Sequence, residues 1–337
     1  MDERAGERRE EARLRAEARA LVEELRAVQD GVVSRRQALA AGMTRVDVAR
    51  LLRRREWIAV HDGVYVGHNG PLGWHERAWA AVLWAEPAAL TLDSAVRAAE
   101  GPGRRGRDES VVHVAVARHR RLVPPPGVMV HRTGHLDVRV AWNLSPPRVR
   151  YSDAVLDLAA AAVDDLSAIA VLSDACGSRR TSAQRLLDAL AGRAWIPRRN
   201  WLVSILTDVA SGTCSVLEHG YLDRVERPHG LPTAKRQEPR PTTGGGTLGD
   251  ATYEEWHTLV ELDGRLFHSS TDARSDDMDR DLDNAVERDD ITLRIGYRQV
   301  FRDACSTADR VGRVLARRGW GGTPTPCAKC GALDEAG

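Results

Sequence analysis

The sequence predicts an α/β chain of the α+β kind in three parts: a small helical head with a strand pair, a helical and β connector, and an α/β domain at the back. Three observations predict it. Residues 31–66 run two short helix patterns into a strand pair, residues 152–192 read as successive helices, and the stretch from Asp250 to His268 carries strand periodicity. A length of 337 residues with 42% hydrophobic side chains suits two or three ordinary cores.

Residues 1–28 are nearly all Glu, Arg and Ala, so a solvated helix or arm is expected there, with a role as an interaction helix open to it. Residues 29–70 form the next unit. A helix from Ser34 to Ala41, a turn at Gly42, a helix from Thr44 to about Arg55 and strands in W-I-A-V-H-D-G-V-Y-V follow in the order of a winged helix-turn-helix. Thr44 is the expected cap of the second helix, and Val48, Ala49, Leu51 and Leu52 are its expected inner face. The outer face then presents Arg50 and Arg54, flanked by Asp47 and Arg53, with Arg45 in the first turn. Seven arginines stand against three acids between 31 and 70, whereas the whole chain balances 49 basic residues against 48 acidic ones. The charge argument for DNA is therefore local, with phosphate contact as the expected use and simple solubility as the alternative.

This head resembles the N-terminal domain of AbiEi-type antitoxins as actinobacterial proteins carry it, through G-V-V-S-R-R-Q-A-L-A-A-G-M and H-D-G-V-Y-V. The resemblance implies a domain that binds promoter DNA and represses its own operon, and a cognate toxin protein as a partner. Leu92-Asp93-Ser94-Ala95 is similar to the buried-serine helix start that follows such heads.

The connector, 71–200, contains an apolar helix pattern from Trp74 to Ala85. Its short β runs, Val111–Val116 and Gly127–Thr133, are expected to form a hairpin closed by the basic, proline-ended loop R-H-R-R-L-V-P-P-P. The helices of 152–192 include a capping box at Thr181-Ser182-Ala183-Gln184 and a stop at Gly192.

The back domain, 201–320, carries the chemistry. Trp256 to Leu262 is rich in β-formers and bounded by Glu254-Glu255 and Asp263-Gly264. Period two places His257, Leu259, Glu261 and Asp263 on one face. If the preceding strand pairs antiparallel around the turn at 254–255, Asp250 lies beside Glu261. Such a pair suits Mg2+ (or Mn2+), which takes oxygen ligands, lowers the pKa of bound water and offsets charge on a phosphate. Acids in an apolar setting such as V-E-L-D cost free energy unless metal-bound or paired, so a structural ion pair is the alternative. Two readings stand for Glu218: a capping-box partner of Ser215, or an acid close to the metal.

The run from Ser215 to Trp320, through S-V-L-E, L-V-E-L-D-G-R-L-F-H, D-M-D-R-D, T-L-R-I-G-Y and R-R-G-W, resembles the very-short-patch-repair endonucleases of the PD-(D/E)XK nuclease superfamily. The resemblance implies a restriction-endonuclease-like fold with Asp250 as the metal-binding Asp, Glu261 as the second acid and Glu218 as an acid on the first helix. It also sets His268 near a histidine of the repair-type members, where a plain surface histidine is the alternative. The chain departs from the pattern at Asp263, where the third motif residue is usually lysine. Three readings stand for an aspartate there: a metal ligand, a base, or a residue of an Asp-Gly turn that simply ends the strand.

Asp272 to Glu287 reads as an acidic helix with a solvated face, and Arg294 and Arg298, on the strand candidate T-L-R-I-G-Y-R, as phosphate contacts or salt-bridge partners of that helix. The tail, 321–337, holds Cys327-Ala-Lys-Cys330, half of a zinc-ribbon pattern; a complete site would need Cys305, a histidine or another chain. Zn2+ is not expected at Cys327 and Cys330, and a free or redox-active pair is preferred. No apolar run reaches the length of a membrane span and the charged N-terminus has no signal-peptide core, so a cytoplasmic protein is expected, in keeping with five scattered cysteines. The sequence thus predicts a DNA-binding protein with a Mg2+-dependent endonuclease domain in repair or defence. The alternative is an AbiEi-type antitoxin or repressor with a silent nuclease fold. A homodimer and a cognate toxin are the further partners it allows.

Overall fold

The computed structural model describes residues 2–102, 110–211, 215–240, 247–263 and 290–328. The chain forms two compact units, 1–155 and 156–337, dividing inside a helix. The expected connector is therefore shared between them. No described helix is long and apolar enough to cross a membrane.

The first unit opens with α1 (Asp2–Val28). Residues 9–17 are exposed, but Ala18 and Val22 are buried, so the helix is docked at its end rather than solvated throughout. Then come β1 (Val32–Ser34), α2 (Arg35–Ala40) and α3 (Arg45–Arg53). Each of these helices starts with a capping box, Ser34 with Gln37 and Thr44 with Asp47. Gly42, at φ +99°, makes the turn between them and lies 3.4 Å from the Ala18 side chain at its Cβ position. β2 (Ile58–His61) and β3 (Val64–Val66) complete a sheet of order β1-β3-β2, antiparallel throughout. The strand pair is thus a three-stranded sheet, because Val32–Ser34 joins it. Met43, Val48, Leu51, Trp57 and Tyr65 share the core with Ala18 and Val22. Two expectations on α3 are corrected: Ala49 is exposed, and Asp47 is buried at 6% exposure because its carboxylate accepts from the Thr44 backbone.

α4 (Trp74–Trp84) packs Trp79, Ala80 and Leu83 against the other face of this sheet, at Val32, Val64 and Val66. A five-stranded sheet follows, built from β4 (Ala88–Leu90), β5 (Val112–Ala117), β6 (Val128–Thr133), β7 (Val140–Ala141) and β8 (Arg148–Val149), in the order β6-β5-β4-β8-β7. β5 and β6 run parallel, from Val112↔Val128 to Ala117↔Thr133, so the expected hairpin is not formed. Length permits this: the ten residues 118–127 reach about 33 Å when extended, and a six-residue strand needs a return of only about 20 Å. The prolines of the loop favour the extended path. α5 (Leu92–Glu100) starts as expected with Ser94 buried, its hydroxyl accepting from the His113 amide.

The second unit takes up α6 (Tyr151–Ala161) near its start, then α7 (Asp165–Gly177), α8 (Ala183–Ala191), α9 (Arg199–Ser211) and α10 (Ser215–Tyr221). Ser182, not Thr181, caps α8, since Thr181 is buried and Gln184 turns to Asp188. Gly192 ends the helix as expected. Asp165 on α7 pairs with Arg198 and, at 2.6 Å, with Arg224, tying these helices to the turn after α10. The sheet comprises β9 (Lys235–Arg240), β10 (Thr247–Tyr253), β11 (Thr258–Asp263) and β12 (Ile291–Gly296), in the order β12-β11-β10-β9. β9, β10 and β11 form an antiparallel meander, and β12 runs parallel to β11. α11 (Tyr297–Phe301) and α12 (Ala304–Arg317) close the unit. Gly220 on α10 is required by close packing, since a Cβ there would meet the Phe301 ring at 2.7 Å and Val300 at 2.9 Å. Arg298 therefore lies on a helix, not on the expected strand, because the chain turns at Gly296.

Candidate functional site

β10 and β11 meet around a one-turn helix at Glu254–Trp256 and a left-handed His257 at φ +45°. Their register, Ala251↔Val260 to Tyr253↔Thr258, carried one step further sets Asp250 opposite Glu261. Asp250 is half-buried, and its Oδ2 accepts from the Leu262 amide at 2.7 Å. Burial pushes its pKa up and the nearby Glu218 charge adds to the rise, against the Leu262 hydrogen bond and the Arg236 charge, which pull it down. Asp250 and Glu261 thus stand at facing strand positions, with Glu218 near enough for its charge to act on Asp250. The Arg294 Nε lies 3.3 Å from Glu261 Oε2, so an ion pair of the kind expected as the alternative is formed at Glu261. Among the described residues, no three carboxylates gather their oxygens within 4.8 Å. Asp263 ends β11, exposed. His268 and the expected acidic helix, Asp272 to Glu287, lie outside the described residues.

Glu218 sits in the first turn of α10. The start of that helix is capped by Asp208, whose Oδ2 accepts from the Val216 amide at 2.6 Å.

Behind Asp250 lies a buried polar network that sequence reasoning missed. Glu226 is 2% exposed; its Oε2 accepts from Arg236 Nη2 at 2.6 Å and from the Tyr253 hydroxyl at 3.2 Å. Tyr221 and Tyr253 share a 3.0 Å hydrogen bond. Burial pushes Glu226 up and the Arg236 charge pulls it back, while burial raises both tyrosines far above their ordinary range. Arg236 stands opposite Ala251 in the β9–β10 ladder, and its Nη1 has no hydrogen-bond partner among the described residues. Its signal in the sequence was faint: one arginine in K-R-Q-E, ten residues from its buried partner Glu226.

In the first unit, Arg45, Arg53 and Arg54 are exposed on or beside α3. Arg54 lies 3.7 Å from Glu56, and Arg50 is drawn to Asp47 at 3.0 Å, leaving it half-buried. Hydrogen bonding from Thr44 holds Asp47 below the ordinary carboxylate range. Arg298, exposed, pairs with Asp303 at 2.9 Å. One further donor set, His229, Cys305 and Cys327, gathers its ligand atoms within 4.8 Å; Cys330 lies outside the described residues.

No family model matches the chain, and no curated protein matches it. Among solved structures it is similar to the crystal structure of the RV2827C protein from Mycobacterium tuberculosis, at a TM-score of 0.35 and 18% identity over 67% of this chain and 88% of that one.

Proposed function

We propose that the chain is a DNA-binding protein whose second unit is a metal-dependent endonuclease of the PD-(D/E)XK type. The observation that carries the reading is the placement of Asp250 beside Glu261 across two antiparallel strands, with Glu218 acting on Asp250 from the helix before the sheet. The mixed α/β make-up of the second unit, a helix carrying Glu218 ahead of a four-stranded sheet, is compatible with the fold that the resemblance implies.

The donor set fits a hard divalent cation. Asp250 and Glu261 stand at facing positions of the strand pair, and burial with the Glu218 charge destabilises the charged form of Asp250, a cost that a cation would offset. Mg2+ or Mn2+ bound there would supply a polarised water and neutralise charge on the phosphate. Asp250 is held in place by the Leu262 amide. Glu261, which pairs with Arg294, would hold the ion together with Asp250, and Arg294 would lie beside it to meet a phosphate oxygen. Arg236 supplies the fixed positive charge beside Asp250 that the motif lysine would have given. Asp263, two residues from Glu261, assists at the open end of the strand. Arg45, Arg53 and Arg54 give the head its phosphate contacts.

A second reading is favoured by the 3.3 Å pairing of Glu261 with Arg294 and by Asp263 in the lysine place: a DNA-binding repressor of the antitoxin kind with a silent nuclease fold. Cleavage decides between them. Supercoiled, linear, mismatched and single-stranded DNA are incubated with Mg2+ or Mn2+, comparing the wild type with Asp250→Ala and Glu261→Ala at matched circular dichroism. Metal-dependent cutting lost in both variants upholds the nuclease. Binding without cutting on every substrate upholds the repressor.

A further inference from the structure

We propose that the second unit carries a zinc site made by His229, Cys305 and Cys327. This site is separate from the carboxylates of the nuclease reading and does not depend on it.

Three donors far apart in sequence converge. His229 follows the turn after α10, Cys305 is the second residue of α12, and Cys327 lies in the tail beyond that helix. All three donor atoms lie within 4.8 Å of one another. The two sulfurs are 3.7 Å apart. That is too long for a disulfide, whose bond is about 2.05 Å, and it matches the roughly 3.8 Å edge of a tetrahedron with Zn–S bonds of about 2.3 Å.

His229 is 2% exposed and its Nδ1 lies 2.9 Å from the Val225 carbonyl oxygen. Donation by Nδ1–H to that carbonyl fixes the neutral tautomer with its lone pair on Nε2, the arrangement in which a metal-ligating histidine is held by its outer partner. Cys305, in the first turn of a fourteen-residue helix, lies where the helix dipole favours a thiolate.

The tail is held against this cluster by its own contacts. The Thr325 amide donates to the His229 carbonyl at 2.8 Å, and Pro324 crosses α12 at Gly312, where a Cβ would meet the ring at 2.2 Å. Cys327 is therefore delivered to the other two donors by packed backbone. One imidazole with two soft thiolates and no carboxylate selects zinc over magnesium or manganese. The site staples the tail to the turn after α10 and to the start of α12.

The test is metal content. The full chain is purified on a non-chelating affinity tag and its metals are measured by plasma mass spectrometry, with Co2+ exchange read as the visible absorption of a tetrahedral thiolate complex. The expected result is one zinc per chain and a Co2+ spectrum. Cys305→Ser and Cys327→Ser lower zinc at least tenfold. Because loss of zinc in a variant is also the mark of misfolding, each is checked for the wild-type circular dichroism and a cooperative thermal transition of the full chain. Metal-free wild type that takes up neither Zn2+ nor Co2+, an intact mass lower by two hydrogens that reports a Cys305–Cys327 disulfide, or full zinc in Cys327→Ser would each overturn the site.

Discussion

Replacing Arg236 by Met tests the network behind Asp250. Glu226 is 2% exposed and its Oε2 is 2.6 Å from Arg236 Nη2. Two unit charges at about 4 Å attract by about 4 kcal/mol at an effective dielectric constant of 20, and removing one partner of a buried pair costs about 3–5 kcal/mol because the other is left without compensation. Arg236→Met is therefore expected to destabilise the second unit by about 3–5 kcal/mol. For a unit of this size that is a fall of roughly 6–20 °C in Tm. Glu226→Gln in the same chain removes the stranded charge while the Tyr253 hydrogen bond is kept, so the double variant recovers more than half of the loss. Urea unfolding of all four members of the cycle, followed by tryptophan fluorescence, measures the coupling directly. A loss below about 1 kcal/mol for Arg236→Met, or a double variant no better than the single, would refute a buried, mutually dependent pair.

Further predictions rest on the same geometry. The Asp250 pKa is raised in the folded state, so its contribution to stability is present below the ordinary carboxylate range and is lost as pH rises through the folded value. Asp250→Asn should accordingly raise the urea midpoint of the metal-free protein at neutral pH and bring no gain at acid pH; a variant less stable at neutral pH contradicts the strain. His131, lowered by burial and then by His113, works in the other direction: its contribution is present above about 6.5 and is lost as pH falls to the depressed value. His131→Gln should flatten the acid limb of the first unit's stability curve, and an unchanged limb argues against it. Arg45→Ala with Arg53→Ala should weaken DNA binding on all sequences and reduce the slope of log affinity against log salt by about 2; an unaltered slope removes α3 from the interface. Thr44→Ala should cost about 1 kcal/mol through loss of the α3 cap, read from the first unit's melting.

What was legible in the sequence was local. Thr44 announced the second helix as its cap, and Val48 and Leu51 announced the inner face of that helix. Glu254-Glu255 between two β runs announced the turn that sets Asp250 beside Glu261. Features whose partners lie far along the chain were not legible. The parallel pairing of β5 with β6 depends on β4 occupying the other edge of β5, which no pattern inside Val111–Thr133 reveals. Arg236 meets Glu226 through a turn and Asp250 through a strand ladder, so neither spacing nor composition marked it. Cys305 and His229 likewise reach Cys327 only once the tail has crossed α12. Asp47 was misjudged for a physical reason: a charged residue on an amphipathic helix reads as solvent-facing until its capping role turns it inward.

The most direct measurement is Mn2+ binding to the zinc-replete protein, followed by electron paramagnetic resonance and calorimetric titration, with Asp250→Asn and Glu261→Gln beside the wild type. The account predicts one Mn2+ site per chain that Mg2+ displaces and that both substitutions weaken at least tenfold, with the Arg294→Ala variant binding more tightly because the guanidinium charge beside Glu261 is gone. Absence of saturable binding in the wild type, or binding that both substitutions leave unchanged, would contradict the assignment of the β10–β11 carboxylates to a metal and with it the proposed nuclease.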